Sequence, residues 1–195
     1  MFLFICGPHA SGKTSILRAL ERDNVITGCG YEIGKEIFYR DKGIPDKRDE
    51  AFEIELTKME LERDIYFANL PGISASETWH PGNLAYVAVR NPKSFPRLAS
   101  LMRTSPLIAS AWGIRLLTTP EQMHERTKTF SDNKEWAVDF HSRVGDKIEE
   151  CIDALGLTER TVTLDTSGGL EYVVERVKEL IERFSTTLAT PPSAS

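Results

Sequence analysis

Apolar and polar residues run along this chain in blocks that switch repeatedly between the strand and helix periods. "FLFIC" at 2–6 is an unbroken apolar run bounded by Gly-Pro, the pattern of a strand covered on both faces, and Thr14 to Arg22 behind it carries Leu17 and Leu20 at helical spacing. "NVIT" at 24–27 suits a second strand, and Gly28, Gly30 and Gly34 break the pattern after it. From Lys47 to Leu70, the apolar residues Phe52, Leu56, Met59, Tyr66 and Leu70 recur at spacings of three, four and seven among acidic residues. Pro71-Gly72 ends that run, so one long amphipathic helix is predicted with these five on its apolar face. "GIRLLTT" at 113–119 reads as a strand stopped by Pro120, which can open a helix at its first position. Trp136, Phe140, Val144, Ile148, Cys151 and Leu155 line one face of a further helix, and "TVTLD" at 161–165 makes another strand. Leu170, Val173, Val174, Val177, Leu180, Ile181 and Phe184 give the most regular helical stripe, with Ser167 as a candidate cap. "STTLATPPSAS" at 185–195 reads as a flexible tail.

Strands separated by helices call for a parallel sheet with right-handed crossovers and helices on both faces. Ligands of such sheets sit beyond the carboxyl ends of the strands. A chain of 195 residues, 41% apolar and 27% charged, builds one core, so a single domain over 1–184 with a tail at 185–195 is expected. The net charge of −5 and pI near 5.5 leave no footprint for a long polyanion, which argues against nucleic acid as a partner. Cys6, Cys29 and Cys151 are odd in number and form no C-x-x-C pair, as suits a reducing compartment rather than a disulfide framework or zinc site. "MFLFIC" has no basic leader or cleavage pattern, and no run approaches membrane-spanning length. A cytoplasmic protein with no membrane partner is expected.

"CGPHASGKTS" at 6–15 carries the chemistry. Gly7, Gly12, Lys13 and Thr14 complete G-x-x-x-x-G-K-[ST] directly after a predicted strand and before a predicted helix, the context that gives this motif its meaning. Glycines let the backbone wrap an anion, and successive N–H groups and the positive helix end point at one spot. Gly7, Pro8, His9, Ala10, Ser11, Gly12, Lys13, Thr14 and Ser15 are therefore the expected binding residues for the phosphates of ATP. Lys13 reaches the β and γ phosphates, and the Thr14 hydroxyl ligates Mg²⁺.

The motif does not fix the use of the nucleotide. A GTPase needs N-K-x-D; "DNKEW" at 132–136 has the wrong fourth residue and opens a helix, and the Asp required in "ANLPG" at 68–72 is Asn69. A motor ATPase would need an apolar strand ending in acidic residues, which is missing. A small kinase needs the loop, an acidic residue near Mg²⁺ or the acceptor, and an arginine-bearing flap.

Residues 1 to about 184 resemble the P-loop nucleoside and nucleotide kinases, in the branch holding thymidylate kinase and the ribosylnicotinamide-kinase-like ATPases. Beyond the phosphate loop, "SETWHPGNLAY" at 76–86 is similar to the S-D-R-Y…S-x-x-A-Y segment of thymidylate kinases, which would set Glu77 where the family has an Asp near Mg²⁺ and the acceptor. "YEIGKE" at 31–36 resembles the E-x-A-R-E segment of the ribosylnicotinamide-kinase type and would put Glu32 and Lys35 by the acceptor. "TTPEQMHERT" at 118–127 is similar to the strand-to-lid segment, making Arg126, helped by Lys128, the lid cation. "LDTSGGLEYVVERV" at 164–177 resembles the last strand and helix, whose loop with Thr166 lies near the adenine.

The resemblance implies a three-layer α/β/α P-loop NTPase fold with a parallel five-stranded sheet and a short lid. "GISAS" at 72–76 supplies the third strand by resemblance alone. Lys13, Glu77, Arg126 and Glu32 become the catalytic candidates, with Thr14 and Glu77 as metal ligands, and Asp165 rivals Glu77 as the key carboxylate. ATP and Mg²⁺ are the expected cofactors, and the partner is a small-molecule phosphate acceptor, with a homodimer left open. Thr78 stands where the family carries an arginine that holds the phosphate of a monophosphate acceptor, which puts thymidylate kinase activity in question, and Gly82 replaces a serine. The competing reading is a regulatory module that binds or hydrolyses ATP without phosphorylating a small molecule. His9, His80, His124 and His141 lack ligand spacing and are expected to be structural or exposed, while Trp79 and Tyr86 are read as core before base-stacking residues.

Overall fold

The computed structural model describes residues 1–40, 49–127 and 133–189. Five strands, β1 (Phe2–Cys6), β2 (Gly28–Gly30), β3 (Ser74–Glu77), β4 (Trp112–Leu117) and β5 (Thr161–Asp165), form one sheet in the order β2-β3-β1-β4-β5. Every neighbouring pair is parallel. The helices between them are α1 (Lys13–Arg22), α2 (Ile33–Arg40), α3 (Glu50–Ala68), α4 (Trp79–Arg90), α5 (Phe95–Met102), α6 (Pro120–Arg126), α7 (Lys134–Ala154) and α8 (Leu170–Ala189). The expected three-layer α/β fold with a five-stranded parallel sheet is therefore present.

Strand β1 shows why its apolar run is unbroken. Successive side chains point to opposite faces, so Leu3 and Ile5 pack with α1 (Ile16, Leu17, Leu20) and α8 (Val173, Val177, Ile181). Phe2, Phe4 and Cys6 pack on the other face with α4 (Trp79, Leu84), α5 (Leu98, Met102) and α7 (Val144, Ile148). Burial on both faces removes any polar position from the pattern.

Several boundaries differ from the sequence reading. Residues 24–27 are not a strand: β2 is Gly28–Gly30, a cysteine between two glycines, paired with Ser74–Ser76. The side-chain-poor edge lets Phe67 and Leu70 pack directly over it, which propensity does not register. Gly34 sits inside α2 rather than breaking the chain. Pro120 does open α6, behind a Thr119–Gln122 capping box. Ser167 does not cap α8; its N–H is taken by Asp165 in the turn, and Val173 N bonds to Gly169 O at the helix start. Helix α8 continues to Ala189, past the expected end at 184, while 190–195 lie outside the described residues.

Helix α3 departs most from its expected pattern. Tyr66, assigned to the apolar face, is 61% exposed, and Ile65 beside it is 59% exposed. Of the other predicted residues, Leu56 is buried and Phe52, Met59 and Leu70 are partly buried, as expected, and the buried stripe also takes in Glu53, Thr57, Glu60, Asp64 and Phe67. Its acidic members are paired: Glu53 with Arg90 at 2.8 Å, Glu60 with Arg63 at 2.7 Å, and Asp64 with Trp79, His80 and Ser105. Glu53, Glu60 and Asp64 thus belong to the buried face, while Glu50, Glu55 and Glu62 are exposed.

Asp64 accepts from Trp79 Nε1 at 2.8 Å and Ser105 Oγ at 2.5 Å, and meets His80 Nε2 at 2.7 Å. Asp64→Ala strands these buried groups and is expected to cost about 3 kcal/mol, read as a lower urea midpoint. An unchanged midpoint would contradict the pairing.

Candidate active site

The carboxyl end of β1 delivers the chain into the glycine loop, and β3 and β4 flank it. Gly12 sits at φ +94°, a conformation that lets the loop turn directly into α1, and Ala10 is also left-handed at φ +59°. No side chain caps α1, and its first turn holds no acidic residue. The leading amides and the positive end of the helix dipole are therefore left for an anion.

Lys13 is buried, and its Nζ donates to Gly7 O at 2.9 Å and Pro8 O at 2.8 Å. Burial lowers its pKa, while Glu32 and Glu77 oppose that shift. An anion delivered to the loop would favour the charged ammonium further.

Glu77 is the last residue of β3 and is buried. One carboxylate oxygen accepts from Thr14 Oγ1 at 2.6 Å, and the other accepts from the Glu32 backbone N–H at 3.1 Å. The Glu32 carboxylate itself pairs with Lys35 at 3.1 Å. The structure thus brings Lys13, Thr14, Glu77 and the Glu32 segment to one end of the sheet. His9 stacks on His141 of α7 with ring centroids 4.7 Å apart. Burial, then the Lys13 charge, lowers the His9 pKa to about 4, so it adds no positive charge at neutral pH.

The remaining candidates are placed differently. Asp165 is exposed and accepts from Ser167 N at 2.8 Å, a turn-forming contact, and Ser15 faces solvent on α1. Arg126 donates from its two terminal nitrogens to Thr166 Oγ1 at 3.1 Å and Thr166 O at 2.9 Å. Thr166 is buried and donates to Leu117 O at 2.8 Å, so Arg126 and Thr166 make a second cluster beyond β4 and β5. Lys128 lies outside the described residues.

Thr78, directly after Glu77, is a β-branched residue at φ +67°, followed by Trp79 at φ +46°. Such backbone costs about 1–3 kcal/mol and persists only where the surroundings over-determine it. Here Trp79 is fixed between Phe2 and Phe4, at centroid distances of 5.0 and 5.2 Å, and by Asp64. Trp79 is core, as expected, and His80 is structural.

Sequence reasoning missed Arg63, Glu60 and Ser76, which lie under this end of the sheet. The only available signal was the Glu60–Arg63 spacing of three, common on any solvated helix.

The donor set at Thr14 and Glu77 is one hydroxyl and one carboxylate, hard oxygens of the kind Mg²⁺ takes. Among the described residues no three His, Cys, Asp or Glu side chains form a metal cluster. Two protein oxygens, with phosphates and water completing the shell, is the usual Mg²⁺ arrangement in phosphate-binding sites. The residues therefore fit this ion.

No family model and no curated protein matches this chain. Among solved structures it is similar to a NadR protein in complex with NR, at TM-score 0.71 and 17% identity over 93% of this chain and 51% of that one. A NadR protein in complex with NAD and AMP-PNP matches at TM-score 0.69 and 16% identity, over 93% of this chain and 49% of that one. The chain thus spans about half the length of these NadR chains. No helix among the described residues is long and apolar enough to cross a membrane. With the glycine loop between β1 and α1 and the five parallel strands, this likeness shows that the chain has the P-loop NTPase fold.

Proposed function

We propose that this protein transfers the γ-phosphoryl group of MgATP to a hydroxyl of a small acceptor, a nucleoside before a nucleotide. The observation that carries the reading is the Thr14–Glu77 contact at 2.6 Å, beside Lys13 and the uncapped start of α1. A triphosphate held by the loop amides would present its outermost group to Lys13, whose ammonium neutralises charge spreading over the transferring oxygens. Thr14 and Glu77 would hold Mg²⁺, which supplies charge neutralisation between the β and γ phosphates when bound. Glu77 or Glu32 would accept the proton of the acceptor hydroxyl, and holding the partners in line accounts for most of the acceleration.

Two features favour an uncharged acceptor. Thr78 is buried and uncharged where a monophosphate site would want an arginine, and Arg63 nearby is already neutralised by Glu60. The solved neighbours, one holding NR and one holding NAD and AMP-PNP, support a nucleoside-type acceptor and a triphosphate donor. Incubation with MgATP and a panel of nucleosides, ribosyl compounds and monophosphates tests this. ADP release should depend on a nucleoside-class acceptor; release at the same rate without any acceptor would instead indicate a regulatory ATPase.

On this reading Arg126 leaves Thr166 for the transferring group when both substrates are present. Arg126→Ala should lower kcat by about 10³ while the KM for ATP changes less than about threefold. A raised KM with kcat retained would leave Arg126 as a bracket for the turn at Thr166.

A further inference from the structure

Arg63 projects from α3 under the edge of the sheet, and its guanidinium is held on three sides. One terminal nitrogen meets both carboxylate oxygens of the buried Glu60 at 2.7 Å and Ser76 Oγ, also at 2.7 Å. The other donates to Tyr31 O at 2.5 Å. Ser76 Oγ in turn donates to Gly30 O at 3.3 Å across the β2–β3 pair. Room for this arrangement comes from Gly30, where a Cβ would lie 2.9 Å from the Arg63 guanidinium carbon and 3.0 Å from Ser76 Oγ.

The carbonyl that Arg63 holds belongs to the same peptide group as the Glu32 N–H. That N–H donates to Glu77 Oε1 at 3.1 Å, and Glu77 Oε2 takes the Thr14 hydroxyl at 2.6 Å. The chain is therefore continuous: cation, peptide carbonyl, peptide N–H, carboxylate, hydroxyl. A cation at the carbonyl polarises the peptide and strengthens its N–H as a donor, as in any hydrogen-bonded series in a low-dielectric interior. It also fixes the plane of that peptide, and with it the rotamer of Glu77.

We infer that Arg63 is a positioning residue for Glu77, acting through the Tyr31–Glu32 peptide; its consequence for the metal rests on the phosphotransferase reading above. Nη2 of Arg63 is committed to Glu60 and Ser76 and Nη1 to Tyr31 O, while its Nε is buried without a hydrogen-bond partner. Its role is to hold Glu77 in the geometry that Thr14 meets. Lysine cannot reproduce the fork that joins Glu60, Ser76 and Tyr31 at once.

The test is amide hydrogen exchange by NMR on the free protein, in wild type, Arg63→Met, Arg63→Lys and Gly30→Ala. Arg63→Met and Arg63→Lys should speed exchange at the Glu32 amide about tenfold or more, with the amides of Ile5 and Ile114 unchanged. Gly30→Ala keeps the arginine but crowds it, and should act in the same direction. An unaltered Glu32 rate in both arginine variants overturns the proposal, as does an equal rise at Ile5 and Ile114, which would mean general loosening. Calorimetry with ATP, with and without Mg²⁺, supplies the second readout. Arg63→Met should keep metal-free ATP binding and lose about tenfold of the affinity that Mg²⁺ adds. If the wild type gains nothing from Mg²⁺, the phosphotransferase reading fails, while the Glu32 exchange rates still decide the relay.

Discussion

Lys13→Ala is expected to abolish phosphoryl transfer from MgATP while leaving the protein folded. The ammonium is buried at the mouth of the loop and held by the carbonyls of Gly7 and Pro8, so it is aimed by the loop's own backbone. Burial penalises its charged form in the free protein. A triphosphate reverses that balance, because the anion favours the charged lysine and the lysine favours the anion. The interaction is strongest where negative charge grows during transfer, so the loss falls on turnover and should reach about 10³ or more. Folding should suffer little, because the loss of the donor to the carbonyls of Gly7 and Pro8 is offset by removal of a charge that burial penalises. Single-turnover transfer to the preferred acceptor, alongside a melting curve, checks both parts. A folded variant that transfers at the wild-type rate removes the loop from the mechanism.

Glu77→Gln should follow with a turnover loss of about 10² or more and a requirement for higher Mg²⁺. The amide keeps the shape of the side chain and still accepts from the Glu32 N–H, but it loses the charge that a metal needs beside Thr14. Companion variants separate the carboxylates. Glu32→Gln should have a smaller effect, because its carboxylate pairs with Lys35 and only its backbone meets Glu77. Asp165→Asn should leave catalysis unchanged, since Asp165 is exposed and engaged in its own turn. Were Asp165→Asn more damaging than Glu77→Gln, Glu77 would be the wrong carboxylate.

What could be read from the residues follows a physical divide. Strands β1, β4 and β5 and helices α1, α7 and α8 were legible because most of their apolar residues face the central sheet, although Trp136 at the start of α7 and Leu170 at the start of α8, both read as part of the apolar stripes, are 60% and 49% exposed. The phosphate loop was legible because its geometry demands particular residues at fixed spacing, with Gly12 at φ +94° a direct instance. Strand β2 was not, since one cysteine between two glycines is too short a run for periodicity to detect. Helix α3 misled for the opposite reason: its interior face is built from paired carboxylates, and a carboxylate next to its partner looks the same in sequence as one in water. The Glu77–Thr14 meeting came from a family resemblance, because sixty-three positions separate the two and only the β1–β3 register joins them. Arg63 was hidden altogether: its role depends on a carbonyl, and carbonyls leave no mark in a sequence.

On the proposed function, the loop from Gly7 to Thr14 is a cradle for a triphosphate. Isothermal titration of the wild-type chain with MgATP addresses it most directly. Saturable binding of one nucleotide per chain, weakened when Mg²⁺ is withheld and lost in Lys13→Ala, is the predicted result. No heat of association with either MgATP or MgGTP up to millimolar concentration would contradict it.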